Sequence, residues 1–342
     1  MLYFSTKERQ ILTDRILALI RDSKTYIKTG NFFFRDETIQ RELLNAARRG
    51  VAVFILSNLT GNENRGISVA NNKAETDPHI SNLHNLEREG VHVHLCRDLH
   101  AKFLIADGKS GLIMSANYTL DSLHGNPENG VDVLGKDLSN LEDVFDELYL
   151  HPDTILLDSE EQYRYADKNS PIPVGTFDFS GDSRLLMTMA SKESSNLREC
   201  KYTSILNKII EIIANAKTSV DIVSWSFNEV EKLPDFIESL SKAKQRGVHI
   251  RLYYGTKGEE WQITRTRKQI DNLSKQIGDI EAIPLVDNHA KCVISETQGM
   301  IFTANIDGKR GLLTGFELGY ILDESERKTA LSYLKVIEKY GK

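Results

Sequence analysis

Apolar side chains recur at helical spacing over residues 11–20 (ILTDRILALI), where Ile11, Leu12, Ile16, Leu19 and Ile20 fall on one stripe. That spacing predicts a helix covering a core. The chain then runs through Lys24-Thr25-Tyr26-Ile27 into the apolar stretch Phe32-Phe33-Phe34, which reads as a strand. The same order returns at 205–213 (ILNKIIEII), followed by Lys217-Thr218-Ser219-Val220, Ile222, Val223 and Trp225. A second pair of blocks matches more closely. Ala46-Ala47-Arg48-Arg49-Gly50-Val51-Ala52-Val53 parallels Ala243-Lys244-Gln245-Arg246-Gly247-Val248-His249-Ile250. Each predicts a helix stopped by a left-handed glycine and followed at once by a β-branched strand.

The repeat continues to a third block, His100-Ala101-Lys102 and His289-Ala290-Lys291. From Lys24 to Lys217, Gly50 to Gly247 and His100 to His289 the separations are 193, 197 and 189 residues. Self-similarity at half the chain length predicts two similar α/β half-domains, each a mixed sheet flanked by helices, over residues 1–150 and 181–342. Residues 151–180 hold three of the seven prolines and show no period, so they read as a linker.

Composition narrows this picture only a little. With 40% hydrophobic and 27% charged residues the chain is an ordinary globular one. Its net charge of -6 does not advertise a polyanion partner, so any such partner would need a local basic patch. Cys96, Cys200 and Cys292 are too few for a disulfide framework and fit a reducing, cytoplasmic setting. The first residues lack the pattern of a secretory signal, and no apolar run is long enough to span a bilayer.

Chemistry concentrates at the third block. Of nine histidines, only His100 and His289 have lysine two positions on. After each comes an apolar hairpin ending in Ser/Thr-Ala-Asn. In the first half Phe103-Leu104-Ile105, a turn at Asp107-Gly108 and Leu112-Ile113-Met114 lead to Ser115 and Asn117. In the second, Cys292-Val293-Ile294, Glu296 and a turn near Thr297-Gln298-Gly299 lead to Thr303 and Asn305. Asp-Gly between apolar runs is a hairpin signal. The hairpin brings the asparagine back beside the histidine and lysine. Each half therefore offers a nucleophile or acid, a cation and an amide.

In these residues the chain resembles the phospholipase D superfamily, whose signature is His-x-Lys with an aspartate and asparagine at set spacing. The first half departs from it only at Met114. The second carries Glu296 for the aspartate, and its spacing to Asn305 is one residue shorter. The resemblance covers both halves and implies one active site at a pseudo-two-fold interface. One histidine would attack phosphorus and the other would act as acid and then base. By family habit His100 is the nucleophile and His289 the acid/base. Lys102, Lys291, Asn117 and Asn305 would hold the charged oxygens, with no metal or other cofactor. Asp107, Ser115, Glu296 and Thr303 would support the motif. A carboxylate following each motif, Glu317 and Asp132, would fix the tautomer of a catalytic histidine.

Other signals rank lower. His92, His94 and Cys96 alternate on one strand without a second ligand pair and read as half-buried strand residues. Arg265, Arg267 and Lys268 lie in an expected helical insertion at 257–280, with Lys257 and Lys275 nearby; this is a solvated face or a track for a phosphate backbone. Trp261 could stack a base or anchor the insertion. Asn62, Asn64, Asn71 and Asn72 read as a loop near the pocket. The expected function is a nuclease acting on DNA or RNA. A phospholipase or phosphatidyltransferase is the alternative, and a silent binding scaffold ranks below both. A monomer suffices to complete the site.

Overall fold

A computed structural model describes residues 1–58, 78–96, 98–150, 155–157, 163–165, 177, 181–190 and 202–340. The first half contains β1 (Leu2–Ser5), α1 (Ile11–Asp22), β2 (Tyr26–Asn31), α2 (Glu37–Arg48), β3 (Ala52–Asn58), α3 (Pro78–Arg88) and β4 (His92–Cys96). It continues through β5 (Phe103–Ala106), β6 (Ser110–Met114), α4 (Leu120–His124), β7 (Glu128–Val133) and α5 (Gly135–Leu150). Then come β8 (Ile155–Leu157) and β9 (Tyr163–Tyr165). The second half holds β10 (Leu185–Ala190), β11 (Tyr202–Thr203), α6 (Ser204–Asn215), β12 (Ser219–Ser224), β13 (Phe227–Asn228), α7 (Pro234–Gln245) and β14 (His249–Gly255). It closes with α8 (Glu260–Ile277), β15 (Glu281–Leu285), β16 (Cys292–Ser295), β17 (Gly299–Phe302), β18 (Ile306–Asp307), β19 (Gly315–Ile321) and α9 (Glu324–Tyr340).

Two mixed sheets result. The first runs β1-β7-β6-β5-β2-β3-β4-β8-β9 and the second β11-β10-β19-β17-β16-β12-β14-β15. In each, the helix-linked strands are parallel (β2-β3-β4; β12-β14-β15) and the hairpin strands antiparallel (β2-β5-β6-β7; β12-β16-β17-β19). The two halves are thus repeats of one α/β plan. Part of the expected linker belongs to the first sheet, because β8 pairs with β4 and β9 with β8.

Local rules account for the matched elements. Gly50 and Gly247 take φ of 87° and 84°, conformations open to glycine at no steric cost. Val51 N then donates to Ala46 O, and Val248 N to Ala243 O, closing both helices the same way. Even the arginine before each glycine repeats its role. Arg49 donates to the terminal carbonyls of α1 and Arg246 to those of α6, satisfying groups that a helix end leaves open. The insertion expected at 257–280 is α8, opened by a capping box between Glu259 and Gln262.

Each half has its own outer core, but the central one is shared. It takes Phe103, Ile105, Ile113 and Val131 from the first sheet and Met187, Cys292, Ile301, Phe316 and Leu318 from the second. Residues of α5 and α9 fill the space between them. Phe4 stacks on Tyr333 at 3.8 Å, and the Tyr333 hydroxyl donates to Ser5 O. This shared core packs the two halves against each other.

Candidate active site

Each histidine arrives on a left-handed turn. Asp98 and Asp287, two residues ahead of His100 and His289, have φ of 62° and 58°, which aspartate tolerates better than most residues. The chain then crosses to the other half. His100 N and Ala101 N both donate to Phe316 O, at 3.0 and 2.8 Å, while His289 N and Ala290 N both donate to Pro127 O, at 2.9 and 2.8 Å. The backbone of each motif is therefore fixed by a strand end belonging to its repeat mate.

The side chains follow the same exchange. His100 Nδ1 lies 2.7 Å from Glu317 Oε1, and His289 Nδ1 hydrogen-bonds Glu128 Oε2 at 3.1 Å. Both carboxylates are buried and receive a hydroxyl, Thr303 onto Glu317 and Ser115 onto Glu128. A carboxylate on Nδ1 holds the proton there and leaves the lone pair of a neutral ring on Nε2. The rings keep 26% and 14% of their side-chain surface exposed, enough for a substrate atom to reach them.

Lys102 and Lys291 are wholly buried, and each ammonium donates to the carbonyl of its own motif histidine. Burial pushes Lys102 down to about 7 and Lys291 to about 8, against the pull of Glu317 and Glu128. It also pushes His100 down to about 4, opposed by Glu317 and reinforced by Lys102 and Lys291. His289 moves the same way for the same reasons. Burial disfavours ionisation of Glu128 and Glu317 too, yet the neighbouring histidines and lysines hold both below the usual carboxylate range. The site is thus two neutral imidazoles beside two carboxylates and two labile ammonium groups.

Met114 N donates to Lys102 O and Phe302 N to Lys291 O, so each returning strand carries its asparagine past the lysine toward the histidine. The Oδ1 atoms of Asn117 and Asn305 are buried without a hydrogen-bond partner.

Asp107 and Glu296 stand apart from the histidines. Asp107 accepts from Lys24 N, Thr25 N, Thr25 Oγ1 and Tyr26 N, and Glu296 receives the equivalent donors of Lys217, Thr218 and Ser219. Both clamp the hairpin to the start of the neighbouring strand. The longer glutamate makes this reach where the hairpin is a residue shorter.

Asp132 requires a correction. It accepts from Tyr3 OH and Arg15 Nε and holds α1 and β1 on β7, while the carboxylate on His289 is Glu128. The 189-residue offset that relates His100 to His289 also relates Glu128 to Glu317; pairing Gly130-Val131-Asp132 with Gly315-Phe316-Glu317 uses an offset of 185 and slips the match by four residues.

Of the insertion cations, Arg265 lies 3.1 Å from Glu229, and Arg267 and Lys268 are exposed on α8. His92 stacks on Phe54, and His94 stacks on Tyr149 and reaches its carbonyl. Among the described residues no group of three His, Cys, Asp or Glu side chains is placed to hold a metal ion. Likewise, no described helix is long and apolar enough to cross a membrane. Asn62, Asn64, Asn71, Asn72 and Cys200 lie outside the described residues.

The sequence matches the family described as "Cardiolipin synthase, PLD-like domain" over residues 16–149 and 209–339, once per half. No curated protein matches it. Among solved structures, phosphatidylserine synthase from Haemophilus influenzae aligns with a TM-score of 0.61 at 12% identity, covering 98% of this chain and 85% of that one. Polyphosphate kinase from Porphyromonas gingivalis aligns with a TM-score of 0.58 at 13% identity over 98% of this chain. The chain spans 50% of the kinase's length. The likeness to both is one of fold.

Proposed function

Because the chain belongs to the phospholipase D superfamily, whose members are phosphodiesterases or phosphotransferases, we propose that it is a metal-independent nuclease working through a phosphohistidine. The observation that carries the chemistry is the exchange of carboxylates, with Glu317 on His100 and Glu128 on His289. It prepares Nε2 on two rings, each close enough to feel the lysine of the other motif.

His100 supplies the lone pair that attacks phosphorus. The phosphorus–oxygen bond to the leaving group breaks as His289 Nε2 protonates that oxygen. The arriving phosphodiester is an anion, and its charge favours the proton on His289 that the free site disfavours. Lys102, Lys291, Asn117 and Asn305 stabilise the non-bridging oxygens, the work that a divalent ion does elsewhere. Neutral His289 then takes a proton from water, the water oxygen bonds to phosphorus, and the phosphorus–nitrogen electron pair returns to His100.

Local charge supports nucleic acid as the ester. Lys309 and Arg310 follow Asn305 by four and five residues, and both are exposed. Beside them Arg265 and Lys232 converge on Glu229, which Lys309 also acidifies. Lys232, Arg265, Lys309 and Arg310 outnumber the interleaved Glu229, Glu231 and Asp307 by one, a slight cationic excess on a chain of net charge -6.

One observation favours a phospholipid instead. Leu120, Trp261 and Val286 are exposed at 68%, 60% and 59%, on segments where Lys257 draws Asp121 and Asp287 together. Such side chains could seat on a membrane surface. Incubating the protein in excess EDTA with single- and double-stranded DNA, RNA and phosphatidylglycerol vesicles separates the readings. Cleavage of DNA or RNA that is lost in His100→Ala supports the nuclease. Turnover of the vesicles alone replaces it with the lipid enzyme.

A further inference from the structure

Two aromatic rings border the histidines in repeat-equivalent positions, and the chemistry above uses neither. Phe32 directly follows β2, and Trp225 directly follows β12. The registers Tyr26↔Ala52 and Ser219↔His249 make these the same position in the two halves. Two residues further on, Phe34 bridges to Tyr118 and Phe227 pairs with Ile306, the neighbours of Asn117 and Asn305. Each ring is thereby held at the end of the sheet that carries the histidine and asparagine of its own half.

The contacts bear this out. The Phe32 ring meets His100 edge-on at 4.8 Å and lies 5.5 Å from Lys102 Nζ. The Trp225 ring lies 6.3 Å from His289, and its Nε1 donates to Lys257 O at 3.2 Å. Gly255 makes room for the indole, since a Cβ there would come within 2.5 Å of Trp225 Cδ1. Both rings are half-buried rather than packed away. The site thus has flat apolar walls at both histidines and charged or amide groups between them.

We infer that Phe32 and Trp225 are base-stacking walls flanking the scissile phosphate, with Trp225 contacting the nucleoside that leaves on the His289 side. This rests on the nuclease reading above. The disposition favours a polynucleotide because every internal phosphodiester of such a chain has a planar base on both sides. A phospholipid presents a planar π surface on neither. Stacking on an aromatic ring is tolerant of sequence, since every base has a π face.

The test uses a short single-stranded oligodeoxynucleotide with one cleavable phosphodiester, its other linkages being methylphosphonates. Three forms are compared: intact, abasic on the 5′ side and abasic on the 3′ side. Trp225→Ala should lower kcat/KM on the intact form about tenfold to a hundredfold, the worth of one stacked base, and Trp225→Phe should restore most of it. Removing the base on one side should cost the unaltered enzyme a similar factor and cost Trp225→Ala almost nothing more. Equal losses for Trp225→Ala on all three forms overturn the inference while leaving the nuclease reading intact. Failure of the unaltered enzyme to cut any nucleic acid overturns both. In His100→Ala/Trp261→Phe protein, where Trp225 is the sole tryptophan, the intact oligonucleotide should quench fluorescence, and an unchanged signal on saturation contradicts the contact.

Discussion

His100 Nδ1 stands 2.7 Å from Oε1 of Glu317, a carboxylate 217 residues away in the other half of the molecule. The reverse contact, His289 to Glu128, completes the exchange. Neither half has a finished site alone. Each histidine takes its carboxylate partner from the repeat mate, and the shared core holds the two halves against each other.

Removing the charge from either carboxylate should damage turnover more than binding. Glu317→Gln and Glu128→Gln are expected to lower kcat about a hundredfold or more, within the range of a general acid–base contribution, with KM little changed. Steady-state kinetics on folded variants, checked by circular dichroism, measure this. A kcat within a few-fold of the unaltered enzyme would show that the tautomers are set by something else.

The pH profile of kcat/KM follows from the free site. Lys102 and Lys291 must be charged to hold the phosphate oxygens, and they lose their protons as pH rises through about 7 and about 8. His289 must also carry the proton it donates, and burial holds that ring below its ordinary value, so activity should already be declining as pH approaches neutrality, and loss of the lysine protons should steepen the fall. His100 must be neutral to attack, so activity should fall on the acid side only as pH drops toward about 4. A profile still rising at pH 10 would contradict the lysine assignment.

Asp107→Ala should cost stability rather than chemistry. The aspartate accepts a fan of donors from residues 24–26, and hydrogen bonds to a charged group are worth about 1.5–3 kcal/mol each before compensation. A net loss of about 2 kcal/mol in denaturant unfolding is expected, with kcat per folded molecule retained. Burial alone would raise this carboxyl, but the donors from Thr25, Lys24 and Tyr26 hold it at about 2. A folded value below the unfolded one means the contribution is present above about pH 4 and is lost as pH falls from there to about 2. A large kcat loss in Asp107→Ala would place it in the chemistry instead.

Lys309→Ala/Arg310→Ala should weaken nucleic-acid binding and flatten its salt dependence. Each lost phosphate contact removes about 0.7–0.9 from the slope of log K against log salt, with kcat at saturation kept. An unchanged slope would remove these residues from the substrate path.

Much of this was legible in the chain. Gly50 and Gly247, the Lys-Thr strand openings and the paired His-Ala-Lys segments declare the repeat, because local turn chemistry and strand patterning are written in adjacent residues. The six residues His100, Lys102, Asn117, His289, Lys291 and Asn305 come from the same reading. The exchange of carboxylates is a tertiary relationship: adjacent residues alone offer Asp132 to a histidine, whereas in the fold Tyr3 and Arg15 occupy it. A constant offset from His100 to His289 would have led to Glu128. Phe32 and Trp225 look like ordinary strand-end aromatics in the sequence, and only the sheet registers make them a pair.

Trapping the covalent intermediate tests the central claim most directly. In His289→Ala, a nucleoside p-nitrophenyl phosphodiester has a leaving group that needs no proton, so the first step should proceed and the second should stall. The account predicts a burst of one p-nitrophenolate per chain and a nucleotidyl phosphate located on His100 by mass spectrometry at alkaline pH, with neither seen in His100→Ala. A burst in His100→Ala with the label on His289, or no covalent species in either variant, would contradict it.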